Sequence, residues 1–199
     1  MWEIAPYNEE LKKNLSVELK IPPLFAQMLI NRGVSQSDEA LKFINPQLKN
    51  LYNPFLMKGM KEGVERIKEA IQKKELICVY GDYDADGISG TALLVLTLQK
   101  FGARVISYIP HRLQEGYGVN INAIRGLSEK GTKLIITVDC GITSLQEVGF
   151  ARALGMDVII TDHHEPLAMS PPACAIINPK QIGCHYPFKE LAGVGVAFK

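Results

Sequence analysis

The stretch LIITVDCGITSLQEVGFARALGMDVIITD, residues 134–162, decides the architecture. It opens on the β-branched run LIITV and continues through SLQEVGFARALG, whose apolar residues recur at helical spacing. That segment closes on Gly155, as helix C-termini commonly do. It then returns to a second β-rich run, DVIITD. Strand, helix, strand at this rhythm implies a right-handed crossover between parallel neighbours. The alternation continues outward in both directions. LICVY (76–80), RVISYI (104–109) and CAIIN (174–178) are further β-rich runs, and GTALLVLTLQKFG (90–102) and NINAIRGLSEKG (120–131) have helical spacing. Residues 77–199 therefore predict an α/β domain with an open, mainly parallel sheet and helices on both faces.

Residues 1–76 follow another pattern. PPLFAQMLINRG (22–33), SQSDEALKFINP (35–46) and MKEGVERIKEAIQKKE (60–75) predict short amphipathic helices joined by Pro- and Asn-containing turns. Ser37 is a candidate cap for the second, and Glu65 with Lys68 or Glu69 with Lys73 can pair across turns. The expected organisation is a small helical amino-terminal region over 1–76, with its last helix packed against the domain that follows.

A hydrophobic content of 47% and a charged content of 22% are ordinary for a globular chain with a sizeable core. No apolar run approaches the ~18 residues of a membrane span, and MWEIAPYNEELKKN lacks the basic-then-apolar order of a signal peptide. The default expectation is a cytoplasmic protein with no membrane partner. Cys78, Cys140, Cys174 and Cys184 are scattered, with no CxxC pair, which favours free thiols over disulfides or zinc. The net charge of +1 divides into +2 for residues 1–76 and −1 for the rest. Setting aside Asp82, Asp84, Asp86, Asp139 and Asp162 as a neutralised site leaves the second part at +4, which suits an anionic substrate.

Ligands of open parallel sheets bind beyond the carboxyl ends of the strands, and the unusual residues fall there. GDYDADG places Asp82, Asp84 and Asp86 after the first strand. His111 and Arg112 follow the second, Asp139 ends the third, and Asp162, His163 and His164 end the fourth. Carboxylates this close raise one another's pKa unless something positive neutralises them. Simpler roles exist for single residues: Asp86 or Ser89 can cap the helix after the first strand, and His111 suits a surface position. Of the adjacent His163 and His164, one ring is expected to coordinate and the other to point away, as neighbours on a strand do.

Carboxylates with one or two imidazoles favour Mn²⁺ or Mg²⁺, with the histidines leaning towards Mn²⁺. An aspartate shared by two cations is the usual basis of a two-metal hydrolytic centre. A calcium EF-hand is excluded, because its twelfth position falls on Leu93 and a strand precedes the loop. DADG also resembles the nucleophile loop of haloacid-dehalogenase-like phosphatases, but TDHH stands where that family needs a lysine and a further acidic pair.

GDYDADG, IPHR…EGYG, TVDCG, TDHHEP and CHYPFKELAGVGVAFK together resemble the successive motifs of the DHH phosphoesterase superfamily, and within it the bacterial branch of single-strand-specific 5′→3′ exonucleases. The resemblance covers residues 77–199 and extends to the helical beginning. It implies that Asp84 binds a first metal and Asp86 a second, that Asp139 bridges them, and that His163 completes the second site. It also implies that Asp82 serves as a ligand where other members use a histidine at the position of Tyr80. His164 and Arg112 would contact the substrate phosphate, with Gly116, Tyr117 and Gly118 nearby. The implied catalytic set is Asp84, Asp86, Asp139, His163 and His164. The implied activity is metal-dependent hydrolysis of single-stranded DNA in repair and recombination, with a helicase and a single-strand-binding protein as further partners. Related alternatives are cleavage of oligoribonucleotides or cyclic dinucleotides, or a non-catalytic nucleic-acid-binding scaffold. The family's last metal-binding aspartate lies beyond the segment matching AGVGVAFK. The chain is therefore expected to be a fragment that binds Mn²⁺ weakly and degrades DNA poorly by itself.

Overall fold

The structure, a computed structural model, describes residues 7–199. The first six residues, on which the expectation about targeting partly rests, lie outside them. The chain divides into two compact units, one ending at Leu51 and one spanning Tyr52–Lys199. The first holds α1 (Glu9–Leu19), α2 (Pro23–Ile30) and α3 (Ser37–Ile44). Its core is small: Leu15, Ala26, Leu29 and Ala40, supported by Leu11, Leu19 and Val34. The sequence reading passes over α1, which starts where the Asn8 side chain accepts from the Leu11 amide. Ser37 does not cap α3. Gln36 precedes the helix without a side-chain cap, and the Ser37 hydroxyl donates to Glu18 instead.

The second unit begins with α4 (Met60–Gln72) and the strand β1 (Leu76–Gly81). The boundary expected at residue 76 thus falls inside this unit. The anticipated Glu65–Lys68 and Glu69–Lys73 pairs form on the exposed side of α4. Arg66 bridges from α4 to Glu75 and to Asp157, each at 2.7 Å.

There follow α5 (Ala85–Lys100), β2 (Arg104–Tyr108), α6 (Ile121–Glu129), β3 (Thr132–Val138), α7 (Leu145–Ala153), β4 (Asp157–Thr161), β5 (Ala175–Ile177) and α8 (Gly193–Phe198). All pairings are parallel, in the order β2-β1-β3-β4-β5. The chain moves one way across the sheet from β1 to β2 and the other way from β2 to β3. Right-handed crossovers then require α5 on one face and α6 and α7 on the other. The packing follows this rule. Ile77, Val79, Leu134, Ile136 and Ile159 face the layer of α4, α5 and α8. Cys78, Tyr80, Ile135, Val158 and Ile160 face Ile124, Leu127 and Val148 of α6 and α7. Strands buried on both sides explain the nearly continuous apolar runs. Among the described residues, no helix is long and apolar enough to cross a membrane.

Candidate metal centre

The reversal of strand order between β1 and β3 opens a crevice at their carboxyl ends, where ligands of such sheets bind. The last paired row of the sheet is Gly81, Val138, Thr161 and Ile177. One residue further, the ladder continues through single backbone bonds. Asp82 N donates to Val138 O at 3.2 Å, Asp139 N to Thr161 O at 3.0 Å, and Asp162 N to Ile177 O at 3.1 Å. Asp82, Asp139, Asp162 and Asn178 therefore stand in one row along the rim, and all four are buried.

Asp82 has a carboxylate oxygen, Oδ1, that is buried without a hydrogen-bond donor, and burial raises its pKa. Asp84 is the cap of α5: its Oδ1 accepts from the amides of Asp86 at 2.8 Å and Gly87 at 3.0 Å. This corrects the expectation that Asp86 or Ser89 caps that helix, which starts five residues before the apolar run that signalled it. The Gly87 amide is the chief reason why the Asp84 carboxyl lies below its ordinary range. Asp86 meets α8 instead. Its Oδ2 accepts from Gly193 N and its Oδ1 from Val194 N, both at 2.6 Å. Each oxygen keeps a further lone pair, and Oδ2 lies 3.7 Å from His163 Nε2.

Asp139 is the centre of the arrangement. Its φ of +62° is unusual for a side-chain-bearing residue. A Cβ on Gly193 would lie 2.6 Å from Asp139 Oδ1, so only glycine lets α8 approach this closely. His163 Nε2 lies 3.0 Å from Asp139 Oδ1, yet that oxygen has no hydrogen-bond donor, so the two face each other without being bonded. Burial, then the charges of Asp86 and Asp84, push the Asp139 carboxyl up to about 7. Two sets of ligand atoms converge here: Asp82, Asp84 and Asp139 in one, Asp139, His163 and His164 in the other. Asp139 is common to both and has a buried, donorless oxygen that a divalent cation would satisfy, and the hard-oxygen and imidazole donors fit Mn²⁺ or Mg²⁺.

The two histidine rings do not point apart. β4 ends at Thr161, so strand alternation no longer applies, and the ring centroids are 4.6 Å apart. Asp162 makes the turn. Its Oδ1 accepts from the backbone N–H groups of His163 at 2.7 Å and His164 at 3.1 Å, while its Oδ2 accepts from Ile142 N at 2.9 Å. His164 Nδ1 lies 2.7 Å from the same Oδ1, and a carboxylate that only accepts makes that nitrogen the protonated one. Nε2 is left to bind a metal or accept a hydrogen bond. Asn178 steadies the turn by donating to His164 O at 2.9 Å. Sequence reasoning missed Asn178, although its place at the end of CAIIN matches that of Asp139 in TVD.

Arg112 is exposed and lies over the ring of Tyr83, the residue between Asp82 and Asp84 in sequence, 5.1 Å from its centroid. Tyr117 donates its hydroxyl to Asp139 O at 3.2 Å, and its ring meets His164 edge-on. His111 is exposed and contributes its backbone amide, not its ring, to the local hydrogen bonding.

This geometry has relatives. The chain is 52% identical over 198 residues to the single-stranded-DNA-specific exonuclease RecJ of Bacillus subtilis, covering all of this chain but 25% of that protein. It matches a crystal structure of exonuclease RecJ bound to manganese with a TM-score of 0.67 and 41% identity, over 74% of this chain and 37% of that one. It also matches a crystal structure of RecJ from Thermus thermophilus in complex with Mn²⁺, with a TM-score of 0.73 and 30% identity, over 98% of this chain and 27% of that one. The chain thus spans about a quarter of the length of the Bacillus subtilis relative. The family model for the DHH family, N-terminal domain, matches residues 76–199, the span from β1 to α8 that builds the rim, and by that match the chain belongs to the DHH family.

Proposed function

We propose that this chain carries the divalent-cation centre of a phosphodiesterase that degrades single-stranded DNA from its 5′ end. The observation behind the reading is that Asp139 belongs to both ligand sets, with an oxygen that has no donor. Asp82, Asp84 and Asp139 would hold one cation, and Asp139, His163 and a remaining lone pair of Asp86 a second. Manganese in the two related crystal structures supports that choice of metal, with magnesium as the alternative. Cations in such a site supply Lewis acidity, which lowers the pKa of water and neutralises phosphoryl oxygens during in-line displacement.

The protein's own groups do the rest. Asp162 holds His164 through its Nδ1 proton, which leaves Nε2 free to contact a phosphate. The Arg112 guanidinium, held over Tyr83, offers a fork of donors to a second phosphate oxygen. The resemblance and the named activity of the relatives support single-stranded DNA as the substrate. The proposal extends, on the resemblance alone, to a cytoplasmic role in repair and recombination, where a helicase would expose strands and a single-strand-binding protein would cover them.

Manganese titration calorimetry of the wild type and Asp139→Ala tests the centre: the wild type should bind and the variant should not. Digestion of 5′- and 3′-labelled single strands, duplexes and dinucleotides ranks the substrates. Identical heats for the two proteins, or turnover of dinucleotides in preference to single strands, would end the proposal.

A further inference from the structure

The segment 109–120, between β2 and α6, carries Arg112, which lies over Tyr83, and Tyr117, which meets Asp139 and His164, and packing holds it mainly at its ends, where Pro110 is buried and Val119 packs on the core. Leu113 is 89% exposed. Gly116 and Gly118 both adopt positive φ, and no heavy atom lies within 4 Å of where their Cβ atoms would be. Between those ends, hydrogen bonds to one carboxylate take the place of packing. Glu115 Oε1 accepts from the Tyr108 hydroxyl, at the end of β2, and from Asn120 Nδ2 at 3.1 Å. Glu115 Oε2 accepts from the backbone N–H of His111 at 2.7 Å. Asn120 also caps α6 through the Ala123 amide and donates to the Tyr80 hydroxyl at 3.2 Å. That hydroxyl in turn donates to Gly118 O at 3.1 Å. Tyr80 and Tyr108 stack with centroids 5.0 Å apart, which gives the network a stiff base on β1 and β2. Three donors on the carboxylate, the His111 amide first among them, lower the Glu115 pKa from its usual value.

We propose that Glu115 is a positioning residue: it clamps segment 109–120 to the ends of β1 and β2 and thereby sets how tightly the centre holds a single-stranded substrate. The proposal rests on the functional reading above. Its mechanism is a population effect. A segment released from the clamp presents Arg112 and Tyr117 correctly for only part of the time, and apparent affinity falls in proportion to that fraction.

The test compares the wild-type chain with Glu115→Gln and Tyr108→Phe. Glutamine keeps the size but puts an amide N–H against one of the three donors, whereas Tyr108→Phe removes one donor and leaves the carboxylate. Hydrogen exchange across residues 109–120, manganese affinity by calorimetry, and anisotropy of a fluorescent oligo-dT in Mn²⁺ are measured for each. For Glu115→Gln the expected result is faster exchange at His111, manganese affinity within about twofold of wild type, and oligonucleotide affinity reduced roughly tenfold if the segment is seated about a tenth of the time. Tyr108→Phe should move in the same direction by less. A purely structural role would lower the melting temperature and leave affinity untouched. Oligonucleotide affinity within twofold of wild type in Glu115→Gln, or unchanged exchange, overturns the proposal. A wild type that takes up neither manganese nor oligonucleotide overturns the functional reading and the substrate half of this one. The exchange data separate that failure from failure of the clamp.

Discussion

Replacing Asp139 by asparagine should stabilise the metal-free protein while abolishing its metal site, and the size of the gain can be worked out. Asparagine is nearly isosteric and tolerates the left-handed backbone at φ +62° better than most residues, so the substitution adds little strain. It removes a carboxyl whose folded-state value is about 7, against an ordinary 3.8. The shift is upward, so folding is penalised wherever the unfolded chain is ionised and the folded one resists ionisation. The penalty is absent below about pH 4, grows as pH rises towards 7, and is complete above it. Each pH unit in that window is worth about 1.4 kcal/mol, so the full penalty approaches ~4 kcal/mol. Urea unfolding in EDTA, followed by circular dichroism from pH 5 to pH 8, should show wild-type stability falling across this range. Asp139→Asn should be flatter and more stable at pH 8. Adding Mn²⁺ at a hundred times its Kd should return about 2.7 kcal/mol to the wild type and nothing to the variant. Equal pH slopes for the two proteins, or a less stable variant at pH 8, would refute the account of Asp139 as a buried carboxylate awaiting a cation.

Gly193→Ala places a Cβ 2.6 Å from Asp139 Oδ1 and should cost about 1–3 kcal/mol in unfolding experiments, with manganese affinity falling as Asp139 is displaced. Asp162→Asn exchanges an acceptor for a donor beside His164 Nδ1 and should weaken oligo-dT binding in Mn²⁺ roughly tenfold by anisotropy, with manganese affinity changed less. Arg66→Met leaves Glu75 and Asp157 without their shared cation and should lower the unfolding free energy by roughly 1–3 kcal/mol, with manganese affinity unchanged because the site lies at the opposite ends of the strands.

The central strands β1, β3 and β4 were legible in the sequence because each is buried on both faces, so its apolar run is nearly unbroken and its ends are marked by polar residues. LICVY, LIITVD and DVIITD each stop where Asp82, Asp139 and Asp162 begin or close to it. The helices were less well defined. α5 begins at Ala85, five residues before its apolar signal, because Asp84 commits a carboxylate oxygen to two amides. α8 is only six residues long, and its position depends on contacts with Asp86 and Asp139 that no local pattern encodes.

Roles at the rim were hidden for a different reason. They depend on how strands distant in sequence are registered against one another. The pairing of Gly81 with Val138, Val138 with Thr161, and Thr161 with Ile177 puts the next residues, Asp82, Asp139, Asp162 and Asn178, into a single row. Along that row the neighbours decide the task. Asp162 meets three N–H groups of its own turn and the Ile142 amide, so it is satisfied and orients His164. Asp139 meets no donor at Oδ1, only the ring of His163 and the carboxylates of Asp84 and Asp86. The same residue type therefore serves as a brace at one position and as a ligand-in-waiting at the next. The difference lies in which N–H groups the fold turns towards it, information that is absent from TVDC and TDHH taken one at a time.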